Sequence, residues 1–416
     1  MKLKIFILVF FLVVIAGLSV LTFYKIQNNT SDIEYSMSLK KDPVDFLDYI
    51  SSKETLKVES GTYFFKVLDE KDMVFTKIHK ISDDEYMILG YRNGENHIYF
   101  IEKSGEIINK FFIESGNTRF YDFINYDDYI LLVGEKDKKN YYLSVSSKTG
   151  EKLWSKTDNT AGRFNVVKKI QEGFVMAGYK VNEYKNQAYI SEINIQGQIV
   201  WSDTSGREGN EEYSDLMIAS DGYICIGNSD SNPEKLSKAI VARYSKDGIK
   251  IFEDEYGMSI YNVYPVSAFI DENYNLYFSG YVAPDDQTTW RTFIAKTVSS
   301  LEVNGKLDFE FFETKAIQNL SRITEIKYIN QNIYSIGFSV DKWPDYDGFI
   351  RIMGKNGTYI SQGIYGTSTE ERFYSFENTS DNSLIIVGYQ KNDKNVVNPI
   401  IIKTDSKGLI PGYHKQ

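Results

Sequence analysis

Two series of glycines repeat along the chain, and they constrain its fold more than any other feature. The first series lies near the end of a strand-like segment, in YMILGY, YILLVGE, GFVMAGY, GYICIGN, NLYFSGY, NIYSIGF and LIIVGYQ. The second lies in a tight turn that follows each time, in KSGE, KTGE, IQGQ, KDGI, VNGK, KNGT and SKGL. Both series have seven members, and the period runs from 44 to 57 residues. The chain is therefore built from tandem copies of one unit.

Each unit contains four short segments rich in β-branched and aromatic residues, as in FNVVKKI, GFVMAGY, AYISEINI and QIVWSDT. A single four-stranded sheet of this size cannot bury both faces, whereas seven sheets packed around an axis can. The sequence thus predicts an all-β fold, a seven-bladed β-propeller of four-stranded antiparallel blades. The last unit lacks a clear fourth strand, so we predict that GTYFFKV, residues 61–67, completes that blade and closes the ring.

The amino terminus predicts a membrane anchor. Residues 5–24 carry no charge and are long enough to span a bilayer as a helix. Lys2 and Lys4 should remain in the cytoplasm, which places the rest outside the cell membrane. We expect an anchor over 1–24, a stalk with a possible short helix over 25–60, and the propeller over 61–416. A cleaved signal peptide, which would give a secreted protein, remains the alternative, although no small-residue cleavage site follows the run.

Charge and cysteine content exclude several classes of function. The net charge of −10 disfavours nucleic acid as a partner. The single cysteine, Cys225, excludes an intrachain disulfide and a thiolate zinc cluster. It lies in GYICIG, so we expect a small buried apolar residue there.

The segments YYLSVSSKTGEKLWSK (141–156) and AYISEINIQGQIVWSD (188–203) resemble the repeat of the pyrroloquinoline-quinone-type propellers. In that repeat a strand and a glycine turn precede a Trp four residues after the glycine, and residues 239–257 and 349–366 are weaker copies. The resemblance implies the fold, and many members of this superfamily are binding scaffolds without a cofactor. The quinone enzymes carry adjacent cysteines, which this chain lacks, so we expect no cofactor. Trp154 and Trp201 are then expected to pack between blades.

One set of candidate ligand-binding residues lies in the long loops between the second and third strands of later units. It comprises Trp290, Trp343, Asp345 and Asp347. Loops on a rigid scaffold often carry function, and Trp beside carboxylates suits sugars or peptides. The alternative is that these are ordinary polar loops, each with one anchoring aromatic residue.

A second candidate set consists of arginines at a recurrent position. Arg119, Arg163 and Arg322 stand fifteen residues before their strand-two glycines, where other units have Phe75, Glu212 and Pro265, and Arg372 stands sixteen before. First strands are innermost in a propeller, so these arginines are predicted to ring one mouth of the channel and to bind an anion. The alternative is local ion pairing with the acidic residues at matching places: Asp122, Glu325, Glu211, Glu212, Glu370 and Glu371.

Catalytic signals are weak. The three histidines show no metal-binding spacing, and the chain has neither a nucleophile elbow nor a phosphate-binding loop. The sequence therefore predicts a membrane-anchored extracytoplasmic module that binds or scaffolds envelope proteins or glycans. The alternative function is that of an extracytoplasmic hydrolase or lyase with its site at the channel mouth.

Overall fold

In a computed structural model of the protein, the described residues are 63–411, except 184, 233–235, 259, 285–288, 298–306, 308, 316, 318–319, 341–344 and 368–369. The membrane anchor and the stalk helix predicted above lie outside this part of the chain. Within it, no helix is long and apolar enough to span a membrane. All its secondary structure elements are β-strands, 27 in number.

The strands form antiparallel sheets, one of which has seven strands and is divided below into sheets 2 and 3. We number the sheets 1 to 7 in chain order, and we call the strand that is given first for each sheet its first strand. Sheet 1 contains β2 (Val74–Lys80), β3 (Glu85–Arg92), β4 (Glu95–Glu102) and β5 (Ile107–Glu114). Sheet 2 contains β6 (Thr118–Tyr126), β7 (Tyr129–Lys136), β8 (Lys139–Ser146) and the first half of β9 (Lys152–Ile170). Sheet 3 contains the second half of β9, then β10 (Gly173–Asn182), β11 (Lys185–Asn194) and β12 (Ile199–Thr204).

The remaining sheets have the same order of strands. Sheet 4 contains β13 (Glu211–Ala219), β14 (Gly222–Ser229), β15 (Lys238–Ser245) and β16 (Lys250–Tyr256). Sheet 5 contains β17 (Asn262–Ile270), β18 (Leu276–Ala283), β19 (Arg291–Thr297) and β20 (Phe309–Lys315). Sheet 6 contains β21 (Leu320–Ile329), β22 (Asn332–Val340), β23 (Tyr346–Gly354) and β24 (Tyr359–Tyr365). Sheet 7 contains β25 (Glu370–Asn378), β26 (Leu384–Lys391), β27 (Val397–Thr404) and β1 (Phe64–Val67).

Strand β9 differs from the predicted pattern of separate strands. It pairs with β8 through residues 152–161 and with β10 through residues 162–170, so sheets 2 and 3 share it within one seven-stranded ladder. The chain therefore passes from the outer strand of one sheet to the inner strand of the next without a turn.

The first strands of the sheets contact one another in a closed cycle. In order they are β2, β6, β9, β13, β17, β21 and β25, and β25 in turn contacts β2. Sheet 7 is completed by β1, whose residues Phe64–Val67 pair antiparallel with residues 400–403 of β27. This pairing confirms the prediction that the segment beginning at residue 61 completes the last unit. It also covers the edge that β27 would otherwise expose.

The hydrophobic core lies between neighbouring sheets, because each middle strand buries side chains on both of its faces. In β3, for example, Tyr86 and Ile88 pack towards sheet 7, whereas Met87 and Leu89 pack towards sheet 2. Cys225 of β14 is fully buried in the cluster between sheets 3 and 4, as the sequence predicts. Burial raises the pKa of its thiol well above the usual value.

The second series of glycines serves inter-sheet packing. Gly150, Gly197 and Gly248 have φ values of 72°, 73° and 78°, which glycine adopts without steric cost. A methyl group on Gly197 would lie 2.6 Å from the ring of Trp154, and one on Gly248 would lie 2.3 Å from that of Trp201. Each Trp therefore packs on the glycine turn of the next sheet, which confirms its expected position between units.

Gly248→Ala tests this packing. We expect it to lower the free energy of unfolding by about 2–5 kcal/mol, because alanine both strains the backbone and displaces Trp201. The control is Gly206→Ala, since Gly206 also has a positive φ of 69° but has no atom within 4 Å of the added methyl group. It should cost only about 1–2 kcal/mol. Urea unfolding measures both values, and equal losses would contradict the packing role.

Candidate functional site

The first strands share a β-bulge that sets the position of the arginines. In all seven, the register shifts just after the residue that pairs with the strand-two glycine. The residue before that pair is the equivalent position in each sheet, and it is occupied by Val74, Arg119, Arg163, Glu212, Tyr264, Arg322 and Arg372.

This register corrects the sequence alignment in two sheets and explains the offset of Arg372. Phe75 and Pro265 pair with the glycines themselves, so Val74 and Tyr264 take the arginine position instead. Arg372 pairs with the residue after Gly388, as Arg163 pairs with the residue after Gly178. The connection between the first two strands is simply one residue longer in sheets 1, 5 and 7. All four arginines are therefore equivalent, and we call them the arginine face.

Aromatic rings hold the four guanidinium groups. The Cζ atom of Arg119 lies 5.0 Å from the ring centre of Tyr91 and 5.2 Å from that of Tyr121. Arg163 lies between Tyr121 and Tyr179, at 5.0 and 5.3 Å. Cation–π contacts of this kind fix the plane of a guanidinium group while its N–H groups remain able to donate.

Where sheets 5, 6 and 7 meet their neighbours, the structure joins the two candidate sets from the sequence. Arg322 Cζ lies 3.7 Å from the ring centre of Trp290 and 4.2 Å from that of Tyr281. Arg372 Cζ lies 4.2 Å from the ring centre of Tyr346 in β23, the strand that also holds Asp347. Trp343 lies outside the described residues.

The sequence contains a signal for these aromatic partners that was not among the predictions above. A Tyr directly follows the strand-two glycine in four units, and these residues are Tyr91, Tyr179, Tyr281 and Tyr389. Each lies within 6 Å of an arginine Cζ atom: 5.0 Å, 5.3 Å, 4.2 Å and 5.9 Å respectively. Pairing of the first two strands within one sheet brings Tyr179 to Arg163 and Tyr389 to Arg372. Tyr91 and Tyr281 instead contact an arginine of the next sheet, so these two contacts come from the packing of neighbouring sheets.

Local ion pairing is present for two of the arginines. Arg163 pairs with Glu212, and Arg372 Nε lies 2.7 Å from Glu370 Oε1. Burial disfavours the charged form of Arg163, but Glu212 outweighs that effect and holds its pKa above the usual value. Arg119 and Arg322 have no carboxylate within 4.0 Å among the described residues. Burial and the nearby Arg372 lower the pKa of Arg322.

The acidic residues three positions after Arg119 and Arg322 do not pair with them. Asp122 and Glu325 lie beyond the bulge and join a separate group of charged side chains, the first-strand cluster: Lys77, His79, Asp122, Glu325, Lys327 and Glu377. Lys77 Nζ lies 2.8 Å from Glu325 Oε1, and Lys327 Nζ lies 2.8 Å from Glu377 Oε1. His79 Nε2 lies 3.0 Å from Asp122 Oδ1 and its Nδ1 lies 3.7 Å from Glu377.

The same cluster and its neighbours link the sheets through backbone hydrogen bonds. In each case a side chain of one first strand accepts a hydrogen bond from a backbone N–H of the next. The pairs are Asp122 with Val167 (3.0 Å), Asp215 with Ala268 (2.9 Å), Ser267 with Ile326 (3.2 Å), Glu325 with Phe376 (2.8 Å) and Ser375 with Ile78 (3.3 Å). The last of these joins sheet 7 to sheet 1. These side chains therefore hold the first strands of neighbouring sheets together.

Three carboxylates converge beside the arginine face. Asp345, Asp347 and Glu371 place oxygen atoms within 4.8 Å of one another. Asp347 and Glu371 are buried, and Asp345 is half-buried. Oxygen atoms of this kind are the ligands that calcium and magnesium prefer. Glu371 accepts hydrogen bonds from the Thr367 hydroxyl at 2.6 Å and from Gln390 Nε2 at 2.8 Å.

Burial raises the pKa of Glu371 to about 7, and Asp347 adds to the effect. The folded pKa lies above the unfolded one, so this group favours folding when it is protonated and loses that contribution as pH rises. The natural protein should therefore lose stability relative to Glu371→Gln as pH rises. We expect the difference in the free energy of unfolding between the two proteins to change by about 3 kcal/mol from pH 4 to pH 8. Urea unfolding across this range measures the difference. A difference that does not vary with pH would contradict the raised pKa.

An open cleft of about 660 Å³ lies at the edge of the arginine face, between sheets 1 and 2. It is lined by Tyr91 of β3, Arg119 of β6, Glu135 of β7 and the turns around Gly94 and Gly116. Sequence reasoning found Arg119 but not the cleft, because its walls come from turns on two sheets.

Comparisons with known proteins identify the fold. No protein-family model matches the chain, and no curated protein matches it. Virginiamycin B lyase from Staphylococcus aureus is similar in structure, with a TM-score of 0.50, 12% identity, and coverage of 81% of this chain and 98% of that chain. The Dos1 propeller has a TM-score of 0.48, 12% identity, and coverage of 78% and 77%. Hsv2 from Kluyveromyces lactis has a TM-score of 0.46, 11% identity, and coverage of 80% and 99%.

Virginiamycin B lyase is a β-propeller, and at 12% identity this similarity shows the fold alone. The cycle of four-stranded sheets described above is thus a β-propeller. The class of protein that the fold and the site define is a propeller with an arginine- and aromatic-rich surface at the start of its inner strands.

Proposed function

We propose that this chain is a membrane-anchored, seven-bladed propeller outside the cell, and that it binds acidic groups of an envelope protein or glycan on its arginine face. Support for seven blades comes from the seven first strands that contact one another in a cycle. Support for the anchor comes from the uncharged run at 5–24. The contacts of Trp154 and Trp201 with glycine turns support a relationship to the pyrroloquinoline-quinone-type repeat.

The observation that carries the binding function is that Arg119 and Arg322 are held in place without an ion pair among the described residues. Aromatic rings hold both guanidinium groups, and in the described part of the chain neither has a carboxylate partner. A guanidinium group held in this way is prepared for paired hydrogen bonds to a carboxylate or phosphate. The other two arginines already pair with Glu212 and Glu370, so a ligand should depend on them less.

The double variant Arg119→Gln/Arg322→Gln tests this function in the full-length chain in detergent. The probes are oligogalacturonate, a carboxylated glycan, and poly-L-glutamate, a carboxylated peptide, with titration calorimetry as the measurement. We expect at least one probe to bind and the double variant to bind it at least about tenfold more weakly, the effect of losing about 1.4 kcal/mol. The charge-matched control Lys103→Gln/Lys148→Gln, in the glycine turns, should bind normally. Binding of neither probe, or equal weakening by both variants, would contradict the proposal.

A hydrolase or lyase is the second candidate, and Glu371 is the observation that favours it. A carboxyl group with a pKa of about 7 beside Asp345 and Asp347 resembles the acid of a carboxylate pair. However, Glu371 is completely buried, with Thr367 and Gln390 as hydrogen-bond donors. A side chain buried in this way stabilises the fold and does not contact a substrate. Binding is therefore the function we propose.

Membrane attachment is tested separately by fractionation of cells that make the protein. We expect the full-length chain, beginning at Met1, to remain with the membranes after a high-salt wash. A soluble extracellular form lacking the first residues would favour the secreted alternative.

A further inference from the structure

The cleft between sheets 1 and 2 places a cation and an anion side by side without pairing them to each other. Arg119 on β6 and Glu135 on β7 are direct partners across the strand ladder. Cα atoms of such partners are about 4.5–5.5 Å apart. Nevertheless, these two side chains make no ion pair within 4.0 Å in the described residues. Both charges therefore stay available to a ligand in the cleft.

Tyr121 keeps the two charges apart. Its ring lies 5.2 Å from Arg119 Cζ, and its hydroxyl donates a hydrogen bond of 2.9 Å to Glu135 Oε1. Tyr91 supports the other side of Arg119 at 5.0 Å. Arg119 is exposed and Glu135 is half-buried, so both can be reached from solvent.

The surrounding wall adds room and unused hydrogen-bonding capacity. A methyl group on Gly116 would meet no atom within 4 Å, which shows open space beside the turn. Thr118, which also lines the cleft, is 1% exposed, and its hydroxyl has no hydrogen-bond partner. The volume of about 660 Å³ falls within the usual range for small-molecule sites, about 300–1,000 Å³.

We propose that this cleft binds free α-amino acids, with the carboxylate on Arg119 and the ammonium group on Glu135. An α-amino acid carries both charges on one carbon, which suits two side chains on directly paired residues. The opposite termini of a longer peptide lie too far apart for that arrangement. The amino acid side chain would extend over Tyr91, where an aromatic ring can stack. This inference deepens the proposed binding function and rests on an open Arg119.

The test is calorimetry on the full-length chain with L-phenylalanine, N-acetyl-L-phenylalanine and L-phenylalaninamide. We expect L-phenylalanine to bind, and blocking either charge to weaken binding at least about tenfold, or about 1.4 kcal/mol. Arg119→Gln should abolish the preference for a free carboxylate, and Glu135→Gln the preference for a free ammonium group. The control variant Lys148→Gln lies in a glycine turn away from the cleft and should bind as the natural protein does.

The outcomes separate this inference from the broader function. If the acetylated compound binds as tightly as L-phenylalanine, the cleft recognises only a carboxylate and the amino acid proposal is wrong. If oligogalacturonate or poly-L-glutamate binds in an Arg119-dependent way but L-phenylalanine does not, the ligand class is wrong and the binding function stands. If none of the probes binds, both proposals fail.

Discussion

Glu325→Ala is expected to lower the free energy of unfolding by about 3–5 kcal/mol, as does the loss of one partner from a buried ion pair. The Glu325 carboxylate accepts hydrogen bonds from Lys77 Nζ at 2.8 Å and from the Phe376 backbone N–H at 2.8 Å. It therefore connects sheets 1, 6 and 7. Alanine would leave the Lys77 charge and a buried N–H group without their partner, and urea unfolding measures the loss.

The control for this variant is Asp128→Ala. Asp128 Oδ1 lies 2.7 Å from Lys148 Nζ, but both side chains are more than 70% exposed. Exposed pairs contribute little, so we expect a change below about 1 kcal/mol. Comparable losses in the two variants would contradict the role assigned to the first-strand cluster.

The pH dependence of stability supplies a second measure of this cluster. Burial alone would raise the pKa of Glu377, but Lys327 and His79 lower it to about 2. Lys327 and Lys77 likewise lower the pKa of Glu325 despite its burial. Because these folded pKa values lie below the unfolded ones, their contribution is present above pH about 4.5 and is lost as pH falls towards 2. Glu325→Ala should accordingly flatten the decline in stability over this range.

Phe64→Ala is expected to cost about 3–5 kcal/mol, the usual range for truncating a buried phenylalanine. Phe64 lies on β1, is 7% exposed, and belongs to the core cluster between sheets 7 and 1. Its ring contacts the turn at Gly105, where an added methyl group would lie 2.5 Å from it. Losing these contacts would detach β1 from β27 and expose a strand edge.

The control lies on the same strand. Val67 is 44% exposed, so Val67→Ala should cost less than about 1 kcal/mol. Thermal unfolding together with light scattering would measure stability and association. If Phe64→Ala were no more destabilising than Val67→Ala, β1 would not be the strand that completes sheet 7.

The glycine pattern predicted the repeated turns well because glycine is needed there both for the backbone conformation and for packing against the neighbouring sheet. The positive φ of Gly150, Gly197 and Gly248 and the close packing of their turns both need a residue without a side chain. Closure by β1 was also predictable, because the last unit lacked a strand and an unassigned strand-like segment, residues 61–67, lay just before the first complete unit. The continuity of β9 was not predictable, since the residues around Ala161 contain no feature that distinguishes a turn from an extended crossing.

The candidate site was only partly predictable. Equal spacing identified the arginine position, but a one-residue difference in the first turn obscured the equivalence of Arg372. Ion pairs with Glu212 and Glu370 followed from their matching positions. The partners of Asp122 and Glu325 did not, because Lys77 lies 248 residues from Glu325 and only the cycle of sheets brings them together. The contacts between the tyrosines and the arginines depend on the strand register and on the packing of neighbouring sheets, and a single sequence shows neither.

The most direct test of the cyclic arrangement is an intrachain disulfide between β1 and β27. Val67 and Ile400 are paired residues, and the neighbouring pair, Leu68 and Pro399, is hydrogen-bonded. Val67 and Ile400 therefore form a non-hydrogen-bonded pair, in which side chains approach most closely. The only native thiol, Cys225, is buried and should not compete.

We expect Val67→Cys/Ile400→Cys to form this bond within one chain on mild oxidation, as detected by mass spectrometry of peptides from the monomer. Free thiols at both positions, or disulfides only between separate chains, would contradict the closure of the propeller through β1.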